Sequence, residues 1–259
     1  MLLDEPYRWA ETVANRREYL EDQLRSGSPA VGVPYDDGIL LFTFGRGQRK
    51  VFEVYDRVAF AAIGHPADIE RLRLGAIDMA HVDGFTNSAD DVSLQRLVNF
   101  GIAPLIKQAF DEVFRAPYIV RVLMDEIGLS SGACFYTVEY DGAFERAERF
   151  AVIGGTDRAA GAMRICLEAA GTGRRGLTEA LDLALRTWAL GRKVGRAEED
   201  EKDLSEPSPL SDREVGEVLR EEARTLTAEA AALSRPRLSK SKFRALTGDE
   251  VGAAMAKYL

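Results

Sequence analysis

Little in this chain invites metal or disulfide chemistry. Its 259 residues include two cysteines, Cys134 and Cys166, and two histidines, His65 and His81. Both cysteines sit in apolar segments, which reads as small buried hydrophobes and not as a disulfide framework. Neither histidine belongs to a His-Glu-X-X-His pattern or a cysteine cluster, so both are read as structural and no metal site is expected. Gly45-Arg46-Gly47 and Gly154-Gly155-Thr156 lack the Lys-Ser or Lys-Thr that completes a phosphate loop, and there is no Gly-X-Ser-X-Gly elbow. No cofactor is expected. Basic charge is also short: 34 Lys and Arg stand against 42 Asp and Glu, a formal net charge of -8. That balance argues against nucleic acid as the main partner, because phosphate backbones are bound by surplus Lys and Arg. No apolar run reaches the roughly 20 residues that span a bilayer, and no apolar stretch follows the charged first residues as in a signal peptide. A cytoplasmic protein without a membrane partner is the expectation.

What is present suffices for a substantial core. At 46% hydrophobic residues the chain reads as one large domain over residues 1–259. Residues 8–25 place Trp9, Val13, Tyr19, Leu20 and Leu24 at near-helical spacing, with Gly27 and Pro29 ending an amphipathic helix. Strand-like runs at 30–33 and 38–44 flank a Pro34-Tyr35-Asp36-Asp37-Gly38 turn, and 50–54 and 58–63 flank Asp56-Arg57, giving two hairpins. Helical spacing follows over 69–84 and 92–114, the latter kinked or split at Pro104. Strands return at 118–124, 133–140 and 145–153, then helices at 157–170 and 177–190. Residues 196–212 form an acidic, Pro/Ser-containing insertion expected to be exposed. A helix over 214–226 is a candidate, the alanine-rich 226–233 is ambiguous between helix and strand, Phe243 and Leu246 suggest an edge strand, and 249–257 suggests a final helix. Antiparallel hairpins alternating with helix pairs fit an α+β, four-layer αββα sandwich better than a doubly wound parallel sheet.

Sandwiches of this kind often carry a nucleophile at the exposed start of a mature strand, where the free α-amine serves as base. The candidates, Ser26 and Ser28, follow a helix that looks retained, and no self-processing Gly-Thr junction precedes them. No catalytic residue is assigned.

Several motifs together resemble an α-type subunit of the 20S proteasome in its actinobacterial form. They are the run from Ser28 to Gly38 with Leu40 and Leu41, the run from Arg49 to Gly64 with Tyr55-Asp56-Arg57, Leu72-Arg73, Asp91-Val92, Tyr136 to Gly142, Val152 to Gly155, Arg235-Pro236-Arg237 and Phe243 to Gly248. The resemblance spans residues 7–248 apart from the insertion. It implies the N-terminal nucleophile hydrolase fold in a noncatalytic subunit that keeps its N-terminal helix, forms homo-heptameric outer rings, stacks on catalytic β subunits and gates the path of unfolded protein substrates. It also implies that Lys50 lines a pocket between adjacent α subunits that receives the C-terminal carboxylate of a ring-shaped ATPase or other activator, which suits an ammonium group. The segment ahead of Arg8 is short, so a gate built from it would be small. The terminal Tyr258 and Leu259 resemble the tails that activators insert, making them candidate docking residues. Two alternatives stay open: a divergent proteasome-like ring protein, and an N-terminal nucleophile hydrolase released by cleavage before Ser26 or Ser28.

Overall fold

A computed structural model describes residues 5–112, 114–128, 132–171, 173–197 and 208–259. Helix α1 (Glu5–Arg25) leads into the first hairpin, β1 (Ala30–Tyr35) and β2 (Gly38–Gly45). The second hairpin is β3 (Val51–Tyr55) and β4 (Val58–Gly64), followed by α2 (Pro66–Thr86), α3 (Leu94–Leu97), a π turn (Val98–Ile102) and α4 (Ala103–Asp111). Next come β5 (Val120–Ile127), β6 (Ala133–Val138), β7 (Phe144–Ala147) and β8 (Ala151–Ile153), then α5 (Asp157–Ala170), α6 (Leu177–Arg196) and α7 (Asp212–Glu222). The chain closes with β9 (Thr227–Ser234), β10 (Phe243–Ala245) and α8 (Gly248–Met255).

The strands form two five-stranded antiparallel sheets, ordered β10-β9-β2-β1-β8 and β3-β4-β5-β6-β7. Both sheets are covered on both faces, which explains why β2 and β4 are nearly unbroken apolar runs. In β2, Leu40, Phe42 and Phe44 face the core shared with α5, α6, α7 and α8, while Ile39 and Leu41 face the other sheet. In β4, Val58, Phe60 and Ala62 face α2 and α4, while Ala59, Ala61 and Ile63 face inward. Period-two alternation therefore sorts side chains between two cores, not between core and water. Fully buried Trp188 lies tilted on Phe44, with ring centroids 4.1 Å apart, and anchors α6 to β2.

Several elements depart from the sequence expectation for identifiable reasons. The run predicted as one strand over 145–153 is two strands in different sheets: β7 pairs with β6, and β8 pairs with β1. Exposed Phe144 to Arg146 suit an edge strand, whereas Ala151, Val152 and Ile153 are buried, so the chain changes sheets across Glu148, Arg149 and Phe150. Helix α2 runs past Gly84, because glycine serves there for close packing: a Cβ at Gly84 would lie 2.4 Å from the Tyr55 hydroxyl. The split foreseen near Pro104 occurs at the π turn just before it, where a missing N–H costs no regular helical bond. The ambiguous alanine run is β9. Of the N-terminal stripe, Leu20 and Leu24 are buried between the sheets, but Trp9 and Tyr19 are about half exposed. Most of the predicted insertion, residues 198–207, lies outside the described residues, with α6 reaching its start and α7, capped by Ser211 and Glu214, beginning at its end.

Candidate functional site

A cleft of about 990 Å³ opens where the end of α1, the β2–β3 turn, the start of α2 and the end of α6 meet. Among the described residues, four lining side chains are Lys or Arg (Arg46, Arg49, Lys50 and Arg192) and Glu70 is the one lining carboxylate, although the chain as a whole is acidic. Local charge of this kind selects anions regardless of the net charge of the molecule.

Lys50 immediately precedes β3. Its backbone N–H donates to Glu229 Oε2 at 2.8 Å, and the N–H of Val51 reaches the same oxygen at 3.4 Å. Glu229 stands on β9 opposite Thr43, so the β2–β9 pairing delivers this carboxyl to the base of the turn. Gly45 makes room for it, since a Cβ there would lie 2.1 Å from Glu229 Oε1. Burial pushes the Lys50 ammonium down to about 8; Glu229 opposes that shift and the guanidinium of Arg192 adds to it. Burial likewise raises Glu229, against the hydrogen bonds from Lys50 and Val51. An anion entering the cleft would meet a partly desolvated cation whose charge it would stabilise, with donors suited to a carboxylate.

The other sequence candidates have local roles. His65 caps α2, its Nδ1 accepting from the N–H of Ala67 at 3.3 Å, and His81 packs edge-on against Tyr55. Cys134 and Cys166 are free thiols. Ser28 is buried and its hydroxyl accepts from Trp188 Nε1 at 3.2 Å; the carbonyl of Ser26 accepts from Arg192 Nη1 at 2.9 Å. Among the described residues, no group of His, Cys, Asp and Glu is placed to hold a metal ion, and no helix is long and apolar enough to cross a membrane.

Tyr258 and Leu259 are not brought to this cleft. Tyr258 is buried in the core between α6 and α8, and its hydroxyl donates to Asp182. Burial pushes Asp182 up, but hydrogen bonds from Tyr258, Lys257 and Arg186 outweigh it and leave the carboxyl below its ordinary value. Arg220 Nη2 donates to the carbonyl of Tyr258 at 2.9 Å, and Leu259 is exposed. An extended tail reaching another subunit requires these contacts to open.

The family description "Proteasome subunit" matches residues 24–187, well over half of the chain. The chain belongs to the proteasome subunit family. Among its relatives are actinobacterial alpha subunits. The proteasome subunit alpha of Streptomyces griseus is 30% identical over 193 residues, 73% of this chain and 69% of that protein. That of Streptomyces avermitilis is 28% identical over 244 residues, 93% of this chain and 85% of its own length. The Nocardioides protein of the same name is 32% identical over 148 residues, 56% of this chain and 58% of its own. The matched proteasome region holds the cleft's α1 end, the β2–β3 turn and the start of α2, but not Arg192, Glu222 or Glu229, which lie beyond it.

Sequence reasoning found Lys50 through the resemblance alone and missed Arg192, Glu222 and Glu229. Nothing in local spacing marks these three, because the tertiary fold brings Arg192 to the cleft, and Glu229 and Glu222 against Lys50 and Arg192, from distant segments.

Proposed function

We propose that this chain is a noncatalytic alpha subunit of a 20S proteasome core particle. In this reading it forms heptameric outer rings on catalytic β subunits in the cytoplasm, gates the path of unfolded proteins and docks a ring-shaped ATPase or other activator through the Lys50 cleft. The observation that carries the docking role is the cleft itself, a cationic recess in an acidic chain with Lys50 seated against Glu229. Two sheets with helices on their outer faces support assignment to the four-layer αββα sandwich of the N-terminal nucleophile hydrolase type. The noncatalytic role is supported by α1, whose Leu20 and Leu24 pack between the sheets and which continues into β1 where a processed subunit would begin.

The test is native mass spectrometry of the full-length chain, alone and with a candidate β subunit, with peptide hydrolysis followed in parallel. Seven-fold rings that hydrolyse peptide only with the β subunit support the proposal. Failure to join a β ring argues for a divergent ring protein, and trimming near Ser28 with unaided hydrolysis argues for a hydrolase. Within an active assembly, Lys50→Ala should lower stimulation by an activator about tenfold or more, as loss of a charge-assisted contact predicts.

A further inference from the structure

Arg192, near the end of α6, lines the same cleft as Lys50 and is unusually well fixed for a surface arginine. Its side chain is 12% exposed. Nε donates to Glu222 Oε1 at 2.9 Å and Nη1 to the Ser26 carbonyl at 2.9 Å, while Nη2 has no hydrogen bond among the described residues. The same Glu222 oxygen meets Arg196 Nη2 at 2.6 Å, and Glu222 is only 1% exposed. An ionised carboxylate buried so deeply requires paired cations, and a guanidinium held through two of its nitrogens loses little further freedom on binding an anion.

Resting on the reading of this cleft as the seat of an activator's chain end, we propose that Arg192 is its second anion-reading cation, positioned by Glu222 and acting with Lys50 to select a free carboxylate over a neutral terminus. Lys50 faces Glu229 from β9 and Arg192 from α6, and it shares the cleft with Arg46 and Arg49 of the β2–β3 turn and with His65 and Glu70 at the start of α2. The Arg192 guanidinium and the Lys50 ammonium repel each other when the cleft holds only water, and a carboxylate relieves that repulsion. Burial is the larger reason that Lys50 sits at about 8, and the charge of Arg192 lowers it further. Binding above that pH therefore requires proton uptake, so affinity falls as pH rises past about 8. Removing the charge of Arg192 moves this fall to higher pH.

The experiment measures binding of a fluorescein-labelled octapeptide ending in tyrosine and leucine, with a free carboxylate or as the C-terminal amide, to the assembled full-length protein between pH 6.5 and 9.5. The expected result is a preference for the carboxylate of about tenfold or more. Arg192→Met should weaken carboxylate binding about tenfold, leave amide binding unchanged and shift the onset of the alkaline fall upward, with Arg192→Lys restoring most of the affinity. Arg192→Gln retains hydrogen-bonding capacity near Ser26 and Glu222 and serves if the methionine variant fails to assemble. An arginine that only ties Ser26 to α7 would leave the pH onset in place. If Lys50→Ala abolishes the carboxylate preference while the neutral Arg192 variants keep wild-type affinity or pH onset, the role of Arg192 is overturned and the cleft reading survives. If the wild-type assembly does not distinguish carboxylate from amide, both fall.

Discussion

Asp125 and Glu222 are buried to nearly the same depth, 0% and 1% exposed, yet their surroundings are opposite. Asp125 points from β5 into the core between the sheets, where neither of its oxygens has a hydrogen-bond partner, and burial pushes its carboxyl up to about 8. Glu222, at the end of α7, meets Arg192 and Arg196 through one oxygen. The carboxyl between the sheets is accommodated by keeping its proton, and the one beside the cleft by recruiting guanidinium groups. Burial alone thus says little about the role of an acidic residue. The partners show that Asp125 is a cost borne by the core, whereas Glu222 holds two guanidinium groups beside the cleft.

The largest effect should come from removing the paired acid. Glu222→Ala leaves Arg192 mostly buried and without its carboxylate, and should cost about 3 kcal/mol by urea denaturation; a change below about 1 kcal/mol would show that water compensates Arg192 and would erase the contrast. Asp125→Val should do the reverse, adding about 2 kcal/mol at pH 8 by deleting an unsatisfied buried group. The pH dependence has a definite sign. The unfolded carboxyl titrates near 4, and the folded one near 8, so the folded chain holds the extra proton between them. Asp125 therefore lowers stability as pH rises through that window, with a slope approaching about 1.4 kcal/mol per unit that flattens above the folded value. Unfolding of wild type and Asp125→Asn across pH 5 to 8 checks this, and parallel curves would refute it. The smallest effect is at an acid that is only part-buried: Tyr258→Phe removes the hydroxyl donor to Asp182 and should cost about 1 kcal/mol, visible as a modest fall in Tm.

The hairpins were legible because their turns announce them: Asp36-Asp37-Gly38 and Asp56-Arg57 interrupt apolar runs of strand length, and both pairs form as read. The helices after Ser93, Thr156 and Ser211 were legible from apolar spacing, and the structure adds the side-chain caps at those three residues. Strand β9 was not legible, because Ala228, Ala230, Ala231 and Ala232 give no period and only the partner β2 decides the conformation. Nor was the change of sheet between β7 and β8, since the period of side chains does not say which sheet receives them. Lys50 stood out by family resemblance, whereas the charge pattern around it depends on residues from β9, α6 and α7 that only the tertiary fold assembles.

The pairing of β2 with β9 has a consequence for biogenesis. All eight residues of β2 are buried in the finished fold, and their outer neighbour is residues 227–234, far downstream in the chain. On the ribosome β2 emerges well before β9 and waits for it with one row of backbone donors and acceptors unmatched. Such an open apolar edge is a template for pairing with another nascent chain. A polypeptide stopped before Thr227 would keep that edge permanently, so residues 227–234 decide whether the earlier product stays apart from its neighbours.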